Sequence, residues 1–178
     1  MKPPLKSNKP DDFQTPPRAL YALYPHLPKT WTIWECADGI GRLTNAFRES
    51  GYNTIGTDIV SGFNFLKDTM KEPYDCIVTN PPYSIKQEFL ERCYYLEKPF
   101  ALLLPLTALE TPKRQYLFGK HGLELILFDK RINFEVLHLK GKGVGSWFAV
   151  GWFTWKLNIG KQISFFNWDK GEMDLFDD

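Results

Sequence analysis

The chain has 178 residues, enough for one domain with a sizeable core, and an aromatic content of 16% that excludes a disordered or linker protein. A net charge of +1 excludes a global electrostatic drive toward nucleic acid and leaves only local patches for such contacts. Cys36, Cys76 and Cys93 lack metal-ligand spacing and sit among apolar residues, and His26, His121 and His138 are scattered, so buried free thiols in a reducing compartment and no metal are expected.

Residues 1–10, "MKPPLKSNKP", read as a flexible tail without the apolar core of a signal peptide. "DDFQTPPRALYALYPHL" opens a short helix after Pro17, closed by Pro25 and Pro28. "WTIWEC" is rich in strand formers, with Trp31 and Trp34 expected in the core. It runs into "ADGIG", and "RLTNAFRES" follows as an amphipathic helix ended by Gly51. "YNTIGTDI" is a second strand ending on Asp58, and "YDCIVTN" a buried third. A helix over roughly 85–97 puts Phe89, Cys93 and Leu96 on one face. "FALLLPL" is an apolar strand, "PKRQYLFGKHG" a short helix and "LELILF" another strand. "INFEVL" and "WFAVGWFTW" follow as strands joined by "HLKGKGVGS" with no helix between them, and residues 169–178 form an acidic tail. No apolar run approaches a membrane span, so a cytoplasmic protein without membrane contacts is expected. The alternation predicts an α/β fold over residues 11–168. It is a doubly wound, mostly parallel seven-stranded sheet with an antiparallel C-terminal hairpin strand.

Two motifs lie at carboxyl ends of predicted strands. In "ECADGIG" a strand enters a tight glycine turn and then a helix N-terminus, and Asp58 ends the next strand, where an acid can accept from both hydroxyls of a ribose. Thr44 stands where a dinucleotide fingerprint would have its third glycine, which favours a nucleoside-bearing ligand without phosphates. In "CIVTNPPYS" a buried strand stops on Asn80 and two prolines. If the sheet is doubly wound, this strand neighbours the glycine-turn strand across the ligand crevice. Pro81 and Pro82 would then fix the directions of the Asn80 amide and the nearby carbonyls toward an amino group. Tyr83 would offer a flat face to a planar base. The plainer readings are a sharp turn at Gly39 and Gly41, a capping Asp58, and a strand-terminating turn with a surface tyrosine.

In that order, "ECADGIG", "GTDI" and "NPPY" resemble the cofactor and catalytic motifs of class I S-adenosylmethionine-dependent methyltransferases. "DDFQTPP" resembles the additional N-terminal motif of DNA adenine-N6 methyltransferases, particularly small phage-type ones. The likeness spans about Asp11 to Trp155. It implies a Rossmann-like fold, S-adenosylmethionine as cofactor, and methyl transfer to an exocyclic amino nitrogen, N6 of adenine in duplex or single-stranded DNA. Phe13, Gln14 and Thr15 would border the methionine end of the cofactor. Glu35, Asp38, Gly39 and Gly41 would form its binding loop, with Asp58 on the ribose and Ile59 beside the adenine. Asn64-Phe65-Leu66 resembles the family's D-F-L, with an amide in place of the acid that accepts from the adenine amino group. Asn80 and the Pro81 carbonyl would accept the target amino hydrogens. Tyr83 would hold a base flipped out of a duplex.

A single methyltransferase domain without a separate target-recognition domain is expected over residues 11–168. Lys140, Lys142, Lys113, Arg114, Lys130 and Arg131 could form a phosphate-binding rim or be ordinary surface charge. The same motifs would also serve an RNA or glutamine-amide methyltransferase, or a catalytically silent cofactor-binding module. Target site, strand preference, oligomeric state and a recognition partner stay open.

Overall fold

The computed structural model describes residues 13–136, 143–145 and 148–173. Strand β1 (Phe13–Gln14) leads into two 3-10 helices, Pro17–Ala22 and Tyr24–His26, where the sequence suggested one helix. Pro16, Pro17 and Pro25 withhold backbone donors, so no longer ladder builds. Strand β2 (Thr32–Glu35) is followed by helix α1 (Arg42–Glu49), which buries Leu43, Ala46 and Phe47 at helical spacing. Strand β3 (Asn53–Gly56) and strand β4 (Cys76–Thr79) are separated by a stretch with neither helix nor strand. Helix α2 (Lys86–Leu96), strand β5 (Phe100–Pro105), helix α3 (Pro112–His121) and strand β6 (Glu124–Phe128) continue the alternation. Five strands close the described chain: β7 (Asn133–Val136), β8 (Gly143–Gly145), β9 (Val150–Trp155), β10 (Ile163–Asn167) and β11 (Glu172–Met173).

Eight strands form the main sheet in the order β11-β10-β6-β9-β5-β4-β2-β3. The run β3-β2-β4-β5 is parallel, as is β6-β10, whereas β9 is antiparallel to both β5 and β6. All residues of β4 and β5 are buried, which is why both read as unbroken apolar runs.

The fold class is the expected α/β one, but the C-terminal half is rearranged. The expected hairpin of "INFEVL" with "WFAVGWFTW" does not form. Strand β7 leaves the main sheet and pairs with β1 and β8, while β9 inserts between β5 and β6. The burial of the two strands explains the split. In β9 every residue from Val150 to Thr154 is buried, as a central strand requires, while β7 begins with exposed Asn133 and buried Phe134 and suits a one-faced sheet. With β7 gone and β10 and β11 added, the main sheet has eight strands against the expected seven.

The stretch expected to be an acidic tail is structured at its start. Asn167 pairs with Glu172 and Phe166 with Met173, and Arg18 donates to the carbonyls of Trp168 (2.7 Å) and Asp169 (2.8 Å). Residues 174–178, like residues 1–12, lie outside the described part. No described helix is long and apolar enough to cross a membrane.

Insertion of β9 depends on a close approach at Gly151. A Cβ there would lie 2.9 Å from the Ile126 carbonyl oxygen and 3.1 Å from a Leu127 methyl. Gly151→Ala should therefore destabilise the protein by about 1–3 kcal/mol, read as a lowered denaturation midpoint in urea.

Candidate active site

The pairing of Ile33 with Cys76 and Trp34 with Ile77 puts β2 beside β4. From β2 the chain moves outward through α1 to β3, then returns to β4 on the other side. The carboxyl ends of β2 and β4 therefore open a crevice at the point where strand order reverses. Glu35 is the last residue of β2, and Asn80 directly follows β4.

The glycine turn above β2 needs its glycines. Gly39 (φ 56°) and Gly41 (φ 82°) are left-handed, and the Gly41 N–H donates to the Asp38 carbonyl at 2.8 Å. The Asp38 carboxylate turns away from the crevice, accepting from the Thr44 hydroxyl at 2.7 Å. It packs over Gly56, where an added Cβ would stand only 2.2 Å from Asp38 Oδ2. Asp38 thus pegs the loop to α1 and β3.

Asp58 ties the next loop to the first. Its Oδ2 accepts the Gly39 N–H and its Oδ1 the Val60 N–H, each at 2.9 Å. Each carboxylate oxygen keeps a further lone pair for a hydroxyl donor. Around it Ile40, Ile59 and Val60 stand 56%, 69% and 92% exposed, leaving apolar surface beside a carboxylate with lone pairs to spare. A nucleoside presents that pairing of an apolar ring face with a polar sugar edge.

Gln14 and Thr15 supply the wall from the N-terminal segment. The Gln14 amide lies over Gly39, and the buried Thr15 hydroxyl has no hydrogen-bond partner among the described residues. With Glu35, Ala37, Asp38, Gly39, Arg42, Leu43 and Asn80 they line one cleft. Its enclosed part is small, about 30 Å³, so a nucleoside has to lie along the open rim over Gly39 and Asp58 or displace Gln14. The donor set fits S-adenosylmethionine: acceptors for a ribose, an apolar shelf, and carboxyl groups for positive charge.

Glu35 is buried beneath this cleft, its Oε1 accepting the Ala37 N–H at 2.9 Å. Burial pushes its carboxyl up to about 8, against the lowering effect of the Thr79 hydroxyl and the Ala37 N–H; Asp38 and Asp58 push it further up. Burial also raises Asp38, opposed first by the Thr44 hydroxyl.

The proline turn is stiff and partly covered. Pro81 is buried, and the Lys86 ammonium donates to the Tyr83 carbonyl at 2.9 Å. The Tyr83 ring was expected to offer an open face. It is instead only 9% exposed and meets Phe148 edge-on, with centroids 5.7 Å apart. Phe148 was missed because it lies in a predicted strand rather than beside a motif.

Two further expectations change. The Asn64 side-chain oxygen accepts the Leu66 N–H at 3.0 Å, while the Asn64 N–H donates to Asp68 at 2.7 Å, so this amide serves a local turn. Phe65 is buried between Trp34 and Phe89, with centroid distances of 5.3 and 4.9 Å, and belongs to the core. Phe13 lies in β1 next to Gln14.

The expected basic rim is largely committed elsewhere. Arg114 is buried on the Ala108 carbonyl, Lys113 pairs with Glu91, and Lys130 pairs with Asp169. Lys140 and Lys142 lie outside the described residues. Among the described residues no cluster of His, Cys, Asp or Glu is placed to hold a metal ion.

A wider hollow of about 620 Å³ lies at the opposite end of the sheet, beside Glu124 and Trp155. Its carboxylate is already engaged by the Leu157 and Ile159 N–H groups, both at 3.3 Å.

No protein-family model matches the sequence, and a search of curated proteins finds no match. Solved structures do resemble the fold. One is the methyltransferase subunit of a type I restriction-modification system from Streptococcus thermophilus, 16% identical, with a TM-score of 0.57 over 93% of this chain and 51% of that one. Another is the type IIG restriction endonuclease BpuSI, 13% identical, with a TM-score of 0.53 over 91% of this chain and 27% of that one. The chain shares their Rossmann-like fold. It spans about half the length of the first and about a quarter of the second.

Two outcomes follow from this geometry. Gly56→Ala displaces the Asp38 carboxylate and with it the glycine turn, so nucleoside affinity measured by calorimetry should fall at least about tenfold. The Glu35 carboxyl stays protonated in the folded chain up to about 8 but ionises near 4.5 when unfolded. Stability of the unliganded protein should therefore fall as pH rises through that window, by up to about 1.4 kcal/mol per pH unit, and level off above it. Glu35→Gln should remove this slope in thermal melts across the pH range.

Proposed function

We propose that the protein is an S-adenosylmethionine-dependent methyltransferase acting on an exocyclic amino nitrogen, N6 of adenine in DNA. The observation that carries this reading is that Asn80, on its double-proline turn, lines the same cleft as Gln14, Glu35 and Gly39. The choice of DNA is supported by the F-x-T-P-P resemblance, whose Gln14 and Thr15 stand in that cleft. It is also supported by the names of two chains that share the fold, a restriction-modification methyltransferase subunit and a restriction endonuclease.

When bound, S-adenosylmethionine would supply a methyl group on a positively charged sulfur. The chain's own residues prepare the acceptor. An adenine amino group is a poor nucleophile because its lone pair is delocalised into the ring. The Asn80 side-chain oxygen and the Pro81 carbonyl would accept its two hydrogens and favour the pyramidal nitrogen that can attack. Proline rings hold both acceptors in place before the substrate arrives, so aimed dipoles and positioning supply the acceleration without a strong base, and the proton displaced from the methylated nitrogen passes to solvent. Tyr83 and Phe148 would part or turn to receive the ring.

The test is incubation with labelled S-adenosylmethionine and DNA, followed by digestion and mass spectrometry for N6-methyladenine. Asn80→Ala should lower the methylation rate by about 10²–10³-fold while S-adenosylmethionine binding stays within a few-fold of the wild type. Label confined to RNA or to protein would reject the DNA assignment. Binding without turnover on any acceptor would mark a silent module.

A further inference from the structure

Three acidic residues stand around the cleft: Glu35 at the end of β2, Asp38 in the glycine turn with its carboxylate turned toward Thr44, and Asp58 at the rim in the loop after β3. None of them forms an ion pair among the described residues. Two are already engaged, Asp38 by the Thr44 hydroxyl and Asp58 by two backbone N–H groups. Glu35 differs. It is the most deeply buried of the three, and among the described residues the backbone reaches it only through the Ala37 N–H on Oε1.

The groups that face Glu35 can be taken element by element. Strand β4 contributes the Thr79 hydroxyl, and the residue after it, Asn80, is a neutral amide. The N-terminal segment contributes the neutral Gln14 and Thr15. The glycine turn and the loop after β3 contribute like charges, Asp38 and Asp58, and the Cys36 thiol lies beside it. Among the described residues that line the cleft, Arg42 at the start of α1 is the cation. A buried acid in such company is held neutral until positive charge arrives.

We propose that Glu35 is a proton-exchanging counter-ion: when a cationic ligand fills the cleft, its carboxyl gives up a proton and becomes the ligand's anionic partner. This inference rests on the reading of the cleft as an S-adenosylmethionine site, since that ligand carries a sulfonium and an ammonium. The carboxyl O–H bond breaks, the proton passes to solvent, and the ligand itself is unchanged. Binding and proton release are then one event. A buried carboxyl raised to about 8 is almost fully protonated at pH 6.5, so nearly a whole proton is available for release there.

The test is titration calorimetry of the whole chain with S-adenosylmethionine at pH 6.5 in two buffers of different ionisation enthalpy. The wild type should release close to one proton per ligand bound, and its apparent Kd should fall about tenfold per unit between pH 5.5 and 7.0. Glu35→Gln should release close to none and show a flat Kd over that range. 5′-Methylthioadenosine, which lacks both positive charges, should bind the wild type without proton release. Equal release by the wild type and Glu35→Gln, or none by the wild type, would overturn the proposal.

If Glu35→Gln does not bind, infrared difference spectra decide. The wild type should lose a protonated-carboxyl band on adding S-adenosylmethionine, and unliganded Glu35→Gln, checked for folding by circular dichroism, should lack that band. A band unchanged by the ligand would overturn the proposal. Failure of the wild type to bind S-adenosylmethionine at all would overturn the underlying reading instead, and this inference with it.

Discussion

The short parallel ladder between β2 and β4 is the constraint from which the site follows. Only Ile33 with Cys76 and Trp34 with Ile77 pair across it, yet it joins the two strands at which the winding of the sheet reverses. Helix α1 leaves on one side of that ladder and α2 on the other, so no connection crosses above the ends of β2 and β4. The crevice is a topological consequence of strand order, and Glu35 and Asn80 face it because they stand at the ends of those strands. Moving either strand by one residue would send its side chains to the opposite face and dismantle both walls.

The stretch between β3 and β4 would be a weak point without Trp34. That ring is buried, donates to the Thr57 hydroxyl at 2.9 Å, and packs against Phe63, Phe65 and Tyr74. The connection therefore lies on an aromatic cluster instead of on a helix, and this holds Asp58 at a fixed height above the glycine turn. Such a bulky platform is dense enough to replace a secondary-structure element, since large rings contribute much contact area for few ordered residues.

Much of the site was legible in the sequence for a local reason. A glycine turn between a strand and a helix, and two prolines after a buried strand, restrict their own backbones, and that restriction is visible without tertiary knowledge. The rest depended on partners distant in the chain. Asp38 and Asp58 look alike as acids beside a turn, but Gly56 and Thr44 draw Asp38 inward whereas two N–H groups hold Asp58 at the rim. Phe65 belongs to a recognisable triplet, yet Trp34 and Phe89 claim it for the core. The insertion of β9 was hidden because sequence adjacency favours a hairpin with "INFEVL", while the burial demanded by "VGWFT" is met only between two other strands.

The N-terminal wall of the cleft is held by partners distant in the chain. Strand β1 pairs with β7, the Ala19 carbonyl accepts from Trp152 Nε1 at 2.9 Å, and Arg18 reaches the turn after β10. Residues 13–19 are thus secured by segments more than a hundred positions further along the chain. Gln14 lies over Gly39, but the backbone pairing that fastens its strand comes only from β7, so that wall is secured later than the glycine turn it covers. Until those strands are in place the crevice has its floor and its glycine turn but lacks a fastened N-terminal wall.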